Sequence, residues 1–201
     1  MEFTIPKVGF LNSTGLHTFL KKNLRARSFE ELQLPFHAVA TDWNRARTVT
    51  FSNGDDLVEA VVASCSVPIL FHPQLINDVP YVEGGLLKNF PVSVIRKQCK
   101  YVIGVNVSLM SPAADKYNIR TMAERTFNLM SNSNTLFDKT YCDILIETKG
   151  IDHYSMFDLN NIDTITEAGY HYAAIKMSEK EAWEIVRKCH KHYRRREKVR
   201  R

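Results

Sequence analysis

The segment from Leu57 to Pro91 constrains the fold most, because it changes its secondary-structure pattern several times within a short distance. It begins as an amphipathic helix, passes through an apolar turn, and continues as a hairpin that ends in Glu83-Gly84-Gly85. Two adjacent glycines behind a strand predict a tight backbone turn with little room for a Cβ atom. The carboxylate of Glu83 is therefore expected at a strand end, where sheet proteins place functional groups.

The rest of the chain alternates predicted strands with predicted helices. Strands are predicted at 34–41, 47–51, 101–107 and 143–147. The apolar run of 101–107 is typical of a strand covered on both faces in a parallel sheet. This order predicts an α/β fold with three layers, a mostly parallel sheet flanked by helices.

Basic residues are concentrated at the C-terminus. The net charge of +5 arises because residues 187–201 hold nine Lys or Arg and one Glu, while the other 186 residues carry a net charge of −3. Such a tail can contact the head groups of an anionic membrane. Tyr193 is its only aromatic residue, which disfavours nucleic acid as a partner and favours a solvated helix end.

The cysteine spacing and the hydropathy of the sequence indicate the cellular compartment of the protein. Cys65, Cys99, Cys142 and Cys189 are scattered without paired spacing, which is typical of reduced thiols in an intracellular protein. No run approaches the ~18 apolar residues of a membrane span, and the N-terminus shows no signal-peptide pattern. We expect a cytoplasmic protein, either free or peripheral to a membrane.

The central segment resembles the patatin-like phospholipase family. The family pattern is A-S-x-x-x-P-x-x-F-x-P, a hairpin, D-G-G or D-G-A, and then N-x-P. The matching residues here are Ala63, Ser64, Pro68, Phe71, Pro73, Gly84, Gly85, Asn89 and Pro91. Glu83 occupies the position of the family aspartate. The resemblance implies a partial patatin-like acyl hydrolase domain over residues 1–177, followed by a basic helix or tail over residues 178–201.

Patatin-like enzymes hydrolyse acyl esters of lipids with a Ser-Asp dyad and need neither a metal nor a cofactor. By resemblance, Glu83 is the catalytic carboxylate, and Gly84, Gly85, Ser64 and Pro68 shape the site. The family serine lies in a G-x-S-x-G elbow, and a glycine-rich loop supplies amides for the oxyanion. This sequence contains neither motif. It therefore resembles the C-terminal two thirds of a patatin domain without the first βαβ portion, and we expect it to be inactive alone.

Other residue patterns have simpler interpretations. Ser13 in Leu11-Asn12-Ser13-Thr14-Gly15 lacks the first glycine of an elbow and is interpreted as a helix cap. Cys65 and His72 suggest a thiol nucleophile, but a packed thiol and a solvated or capped histidine are the preferred interpretation.

Three functional hypotheses follow. The chain is part of a patatin-like acyl hydrolase of the phospholipase A or lipid esterase type. Alternatively, it is a non-catalytic binding or assembly module, in which an open sheet edge would be covered by a homodimer partner or by a further N-terminal segment. In the third hypothesis, it binds a lipid surface through its basic tail.

Overall fold

The computed structural model describes residues 12–107, 118–154 and 159–200, without the side chains of residues 120, 124 and 191–200. The chain divides into two compact units, Met1–Asn89 and Phe90–Arg201. Each unit has its own sheet, and each is described separately below. The predicted division into residues 1–177 and 178–201 stays a prediction.

The described residues of the first unit form three helices and a four-stranded sheet. Its elements are α1 (Thr14–Asn23), β1 (Ala38–Asp42), β2 (Arg47–Phe51), α2 (Leu57–Ser64), β3 (Gln74–Ile76), β4 (Val79–Glu83) and α3 (Gly85–Lys88). The strands lie in the order β2-β1-β4-β3, and all neighbouring strands pair antiparallel. Short turns join β1 to β2 and β3 to β4, and a short turn between paired strands requires this antiparallel arrangement.

Strand β1 and helix α2 form the core of the first unit. Asp56 caps α2 because its side chain accepts a hydrogen bond from the backbone N–H of Glu59. The residues in the core cluster are Phe29, Ala38, Ala40, Phe51, Leu57, Ala60, Ala63 and Tyr81. All five residues of β1 are buried, so this strand fixes the position of β4 beside it.

The second unit contains a parallel strand pair and longer helices. Its elements are α4 (Val92–Ile95), a 3-10 turn (Arg96–Gln98), β5 (Ile103–Asn106), α5 (Ile119–Lys139), β6 (Ile144–Glu147), α6 (Ile162–Ser178) and α7 (Lys180–Arg200). Strands β5 and β6 pair in parallel over four residues. Ile144 and Ile146 of β6 pack with Ala182 of α7, while Phe90, Val92 and Val102 form a separate cluster.

The α/β class predicted from the sequence is confirmed, and its parallel part is small. Among the described residues only β5 and β6 pair in parallel, because the other four strands form the antiparallel sheet of the first unit. The strand predicted at 34–41 begins later, at Ala38, and Leu34 is exposed. The expectation that 101–107 is covered on both faces is wrong, since Ile103, Val105 and Val107 are exposed.

The described helices include none that is both long enough and apolar enough to cross a lipid bilayer. Residues 187–190 of the basic tail are exposed on α7, and the side chains of its remaining residues lie outside the described part of the chain.

Candidate functional site

Glu83 is the last residue of β4, and two neighbouring segments hold its backbone. Its N–H donates to the carbonyl oxygen of Ser66 at 2.9 Å, just beyond the end of α2. Its own carbonyl oxygen accepts a hydrogen bond from Thr41 Oγ1 at 3.0 Å, and Ala40 of β1 lies opposite it in the strand register. These contacts fix the start of the Glu83 side chain at the point where β4 ends.

The two glycines after Glu83 are required by close packing. Both Gly84 and Gly85 are buried, and neither has a positive φ. A Cβ atom on Gly84 would lie 2.8 Å from the carbonyl carbon of Val39, and the backbone there has no room to move aside. A Cβ atom on Gly85 would lie 2.9 Å from Asn89 Oδ1 and 3.1 Å from Glu83 Oε1. The second glycine therefore leaves space for the Glu83 carboxylate over the start of α3.

The carboxylate of Glu83 is poorly solvated. Its Oε2 atom is buried and has no hydrogen-bond partner among the described residues. Burial raises the pKa of Glu83 from 4.5 to about 7, because the charged form loses hydrating water. A carboxylate with this pKa can accept a proton near neutral pH.

Cys65 lies within the electrostatic influence of this carboxylate. Burial of its sulphur and, to a lesser extent, the negative charge of Glu83 raise the pKa of the Cys65 thiol. The raised pKa keeps the thiol protonated, which disfavours Cys65 as a nucleophile. Cys65 as a whole residue is exposed, so the interpretation of a packed thiol is wrong. His72 is exposed, which agrees with the interpretation of a solvated histidine.

Ser64 and Pro68 are both half-buried near the end of α2. Ser64 is the last residue of that helix, and Pro68 lies in the turn that follows. The hydrogen bonds of the described residues connect Glu83 to Ser66 and Thr41 rather than to Ser64 or Pro68. Neither Ser66 nor Thr41 stands out in the sequence, because strand register and chain folding bring them to Glu83.

Ser13 occupies the N-cap position of α1, as interpreted from the sequence, but its side chain does not cap the helix. Its Oγ donates instead to Gln74 Oε1 at 3.2 Å. Gln74 also donates to Glu59, and Glu59 Oε1 lies 2.6 Å from His17 Nε2. An amide oxygen is not a base, so these contacts give Ser13 no group that could accept its proton.

Metal ligands do not cluster in the described part of the chain, which has no group of three or more His, Cys, Asp or Glu side chains placed to hold an ion. The corner of Glu83, Gly84 and Gly85 is thus a carboxylate site at a strand end. It can supply a proton acceptor, and it needs a nucleophile and oxyanion donors from other residues.

The chain is similar in sequence to patatin-like proteins. The model of the family described as Patatin-like phospholipase matches residues 3–95, which include the corner. Patatin-like phospholipase domain-containing protein 7 from Mus musculus and from Rattus norvegicus are each 25% identical over 210 residues, covering 86% of this chain and 15% of theirs. An uncharacterized NTE family protein of Mycobacterium bovis is 25% identical over 141 residues, covering 69% of this chain and 39% of its own.

The resemblance to patatin-like phospholipases indicated by the sequence is therefore confirmed. The chain spans 15% to 39% of the length of these relatives.

Proposed function

We propose that this chain carries the carboxylate half of a patatin-like serine acyl hydrolase site, of the phospholipase A or lipid esterase type. Glu83 is the proton acceptor in this proposal. The observation that carries it is the Oε2 atom of Glu83, which is buried without a partner among the described residues at the end of β4. Burial of this group raises its pKa to about 7, close to the value that favours a general base at neutral pH.

The proposed chemistry is acyl transfer to a serine hydroxyl. Glu83 takes the hydroxyl proton while the serine oxygen bonds to the ester carbonyl carbon, and the carbonyl oxygen becomes the oxyanion. Collapse of this intermediate expels the alcohol, which receives the proton from Glu83. Water then releases the acyl group by the same sequence of steps.

The extra methylene of glutamate is the main difficulty for this chemistry. It lengthens the side chain by about 1.5 Å relative to aspartate, and a misplacement of about 1 Å can cost on the order of 100-fold in rate. The space over Gly85 supports the proposal, because Glu83 Oε1 lies 3.1 Å from the point that a Cβ atom would occupy. An alanine there would compete with the longer carboxylate.

The 201 residues contain no G-x-S-x-G sequence, so they lack the motif that carries the nucleophilic serine in patatin-like enzymes. We expect no hydrolysis of p-nitrophenyl butyrate by the 201-residue protein alone. A fusion that places a patatin-like segment with a glycine-rich loop and G-x-S-x-G ahead of residue 1 should hydrolyse the ester. Glu83→Gln in that fusion should lower kcat about 100-fold to 10,000-fold.

Two variants control this experiment. Glu83→Asp restores the family residue and should retain or raise the activity of the fusion, whereas Glu59→Gln changes a carboxylate that is bound to His17 and Gln74 and should leave kcat unchanged. An active fusion that is insensitive to Glu83→Gln would refute the assigned role. Turnover by the 201-residue protein itself, abolished by Glu83→Ala, would refute the expected inactivity.

A non-catalytic assembly module is the second candidate, favoured by the exposed face of β5. Among the described residues β5 pairs only with β6, and Ile103, Val105 and Val107 are exposed on alternate positions. An uncharged edge strand with apolar side chains is a template for pairing with another strand. We expect a homodimer or a bound partner strand, and light scattering should detect a dimer that Val105→Lys dissociates. A soluble monomer at high concentration would contradict this candidate.

A further inference from the structure

Asn89 belongs to the N-x-P part of the sequence pattern, and the role proposed for Glu83 does not account for it. It is the residue that ends α3, four positions after Gly85. A helical residue directs its side chain back toward the start of its helix, over the residue four positions earlier. The short helix therefore returns the amide of Asn89 to the place where β4 ends.

The amide of Asn89 and the carboxylate of Glu83 border the same space. Asn89 Oδ1 lies 2.9 Å, and Glu83 Oε1 lies 3.1 Å, from the point that a Cβ atom on Gly85 would occupy. Glu83 reaches this space from the end of a strand, and Asn89 reaches it from the end of a helix. The two oxygens are therefore at most about 6 Å apart, a range over which one group affects the ionisation of another.

The two facing oxygens are both hydrogen-bond acceptors when Glu83 is ionised, because neither an amide oxygen nor a carboxylate carries a proton to donate. Protonated Glu83 gains an O–H donor, and an amide oxygen can accept it. Oε2 of the same carboxylate is buried and has no partner among the described residues, so no donor there favours the ionised form. The arrangement therefore favours a hydrogen bond from the protonated carboxyl group to Asn89.

Other titratable residues lie on the elements next to Glu83. They are Asp42 on β1, Glu59 on α2, Cys65 after α2 and Lys88 on α3. Asp42 and Glu59 each accept hydrogen bonds from other side chains, and the Cys65 thiol stays protonated because burial and the charge of Glu83 raise its pKa. All four are unchanged in a variant of Asn89, so they do not explain a change in titration that such a variant produces.

We propose that Asn89 is a positioning residue for Glu83, and that its side-chain oxygen accepts a hydrogen bond from the protonated Glu83 carboxyl group over Gly85. This inference rests on the proposed function, in which Glu83 takes the proton of a serine hydroxyl. Oε1 receives that proton, and its O–H then turns to Asn89 Oδ1 until the leaving alcohol takes the proton. Asn89 holds the carboxyl group in one orientation and forms no bond to the ester.

NMR titration of Glu83 tests the inference in the 201-residue protein with isotope-labelled glutamate. The carboxyl signal that is missing in Glu83→Gln belongs to Glu83, and its position against pH gives the pKa. Asn89→Leu keeps most of the volume and removes the oxygen, so the pKa of Glu83 should fall by about 0.5 to 1. Asn89→Asp keeps the shape and adds a negative charge within about 6 Å, so the pKa should rise by about 1 or more.

Asn23 provides the matched control. It is an exposed residue at the end of α1, and its Nδ2 reaches back to donate to the carbonyl oxygen of Phe19, four residues earlier, at 2.7 Å. Asn23→Leu and Asn23→Asp make the same changes at the end of a different helix, and they should leave the pKa of Glu83 unchanged. If Asn89→Leu fails to fold, Asn89→Asp decides the question by the same measurement.

The inference requires a shift in each Asn89 variant that folds. A rise of the pKa in Asn89→Leu would show that the amide group donates to the carboxylate, and would overturn the inference. An unchanged pKa in either Asn89 variant would show that Asn89 only ends α3, since a purely structural role alters the stability of the protein without altering the titration of Glu83.

These outcomes are distinct from those that test the proposed function. A fusion that is insensitive to Glu83→Gln, together with the expected shifts, would refute the catalytic role and leave the pairing of Asn89 with Glu83 intact. A fusion that depends on Glu83, together with an unchanged titration, would refute the inference alone. In an active fusion, Asn89→Leu should move the acidic limb of kcat/KM to lower pH by the same amount as the pKa of Glu83.

Discussion

The raised pKa of Glu83 predicts how the stability of the first unit changes with pH. Burial raises the pKa from 4.5 to about 7, so between these values the folded protein holds a proton that the unfolded chain has released. The unfolded state then binds fewer protons, and the free energy of unfolding must fall as pH rises. The stabilisation of the folded state by protonated Glu83 is fully present below pH 4.5 and is lost as the pH rises towards 7. Above pH 7 the free energy of unfolding no longer changes through this group.

The expected loss is about 3 kcal/mol, since one pKa unit corresponds to about 1.4 kcal/mol. Glu83→Gln removes the ionisable group while keeping its length, so the variant should lack this part of the pH dependence. Between pH 4.5 and pH 8 the stability difference between variant and wild type should change by about 3 kcal/mol in favour of the variant. With a urea m-value of about 2 kcal/mol/M, the two midpoints should diverge by about 1.5 M.

Urea unfolding at several pH values measures this effect. Both proteins carry Trp183→Phe, so the fluorescence of Trp43 reports on the unit that contains Glu83. Glu184→Gln, at an exposed glutamate of α7, controls for the loss of one negative charge. If the wild type and Glu83→Gln gave parallel curves of stability against pH, the carboxylate would be solvated or paired, and the reasoning about a desolvated base would be refuted.

Two further predictions concern the same sheet. Gly84→Ala should destabilise the protein by about 2 kcal/mol or more, because the added methyl group would overpack against the backbone of Val39 and force that backbone to move. The control variant Gly15→Ala, at an open helical position, should stabilise the protein by up to about 1 kcal/mol. Urea unfolding measures both effects. Asp42→Asn should lower the urea midpoint at pH 7, because the variant loses a charged group that the folded state stabilises. Burial raises the pKa of Asp42, but the hydrogen bonds from Arg45 and Arg47 have the larger combined effect and hold the pKa below its usual range. That stabilising contribution is present above about pH 4 and disappears as pH falls, so the two midpoints should converge in acid.

The sequence predicts the Glu83 corner well, because the corner depends on local features. Paired glycines behind a strand indicate a close backbone approach, and the structure identifies the carbonyl group of Val39 as the atoms approached. The contacts of Ser66 and Thr41 with the Glu83 backbone depend on strand register and on the path of the chain after α2. No pattern within the sequence encodes such contacts, so they could not be predicted.

For strand β5, the sequence predicts the secondary structure correctly but the burial of the side chains wrongly. Its apolar residues correctly indicate a strand, because branched apolar side chains favour extended backbone. The same pattern led to the expectation that both faces were covered, and that depends on which elements pack against the strand. Val105 is exposed although its partner in β6, Ile146, is buried. Apolar composition reports the tendency to be buried and cannot report whether a neighbour is present.

The two carboxylates in the strands of the antiparallel sheet differ in their hydrogen bonding and in their pKa. Asp42 and Glu83 lie on the neighbouring strands β1 and β4. The carboxylate of Asp42 accepts three hydrogen bonds, and its pKa is lowered. The Oε2 atom of Glu83 has no hydrogen-bond donor among the described residues, and the pKa of Glu83 is raised. A carboxylate that serves the fold is paired, because an unpaired buried charge is costly. Glutamine would fill the Glu83 position without that cost. A group that lowers stability at neutral pH, held over a glycine that leaves room for it, supports the proposal that Glu83 accepts a proton.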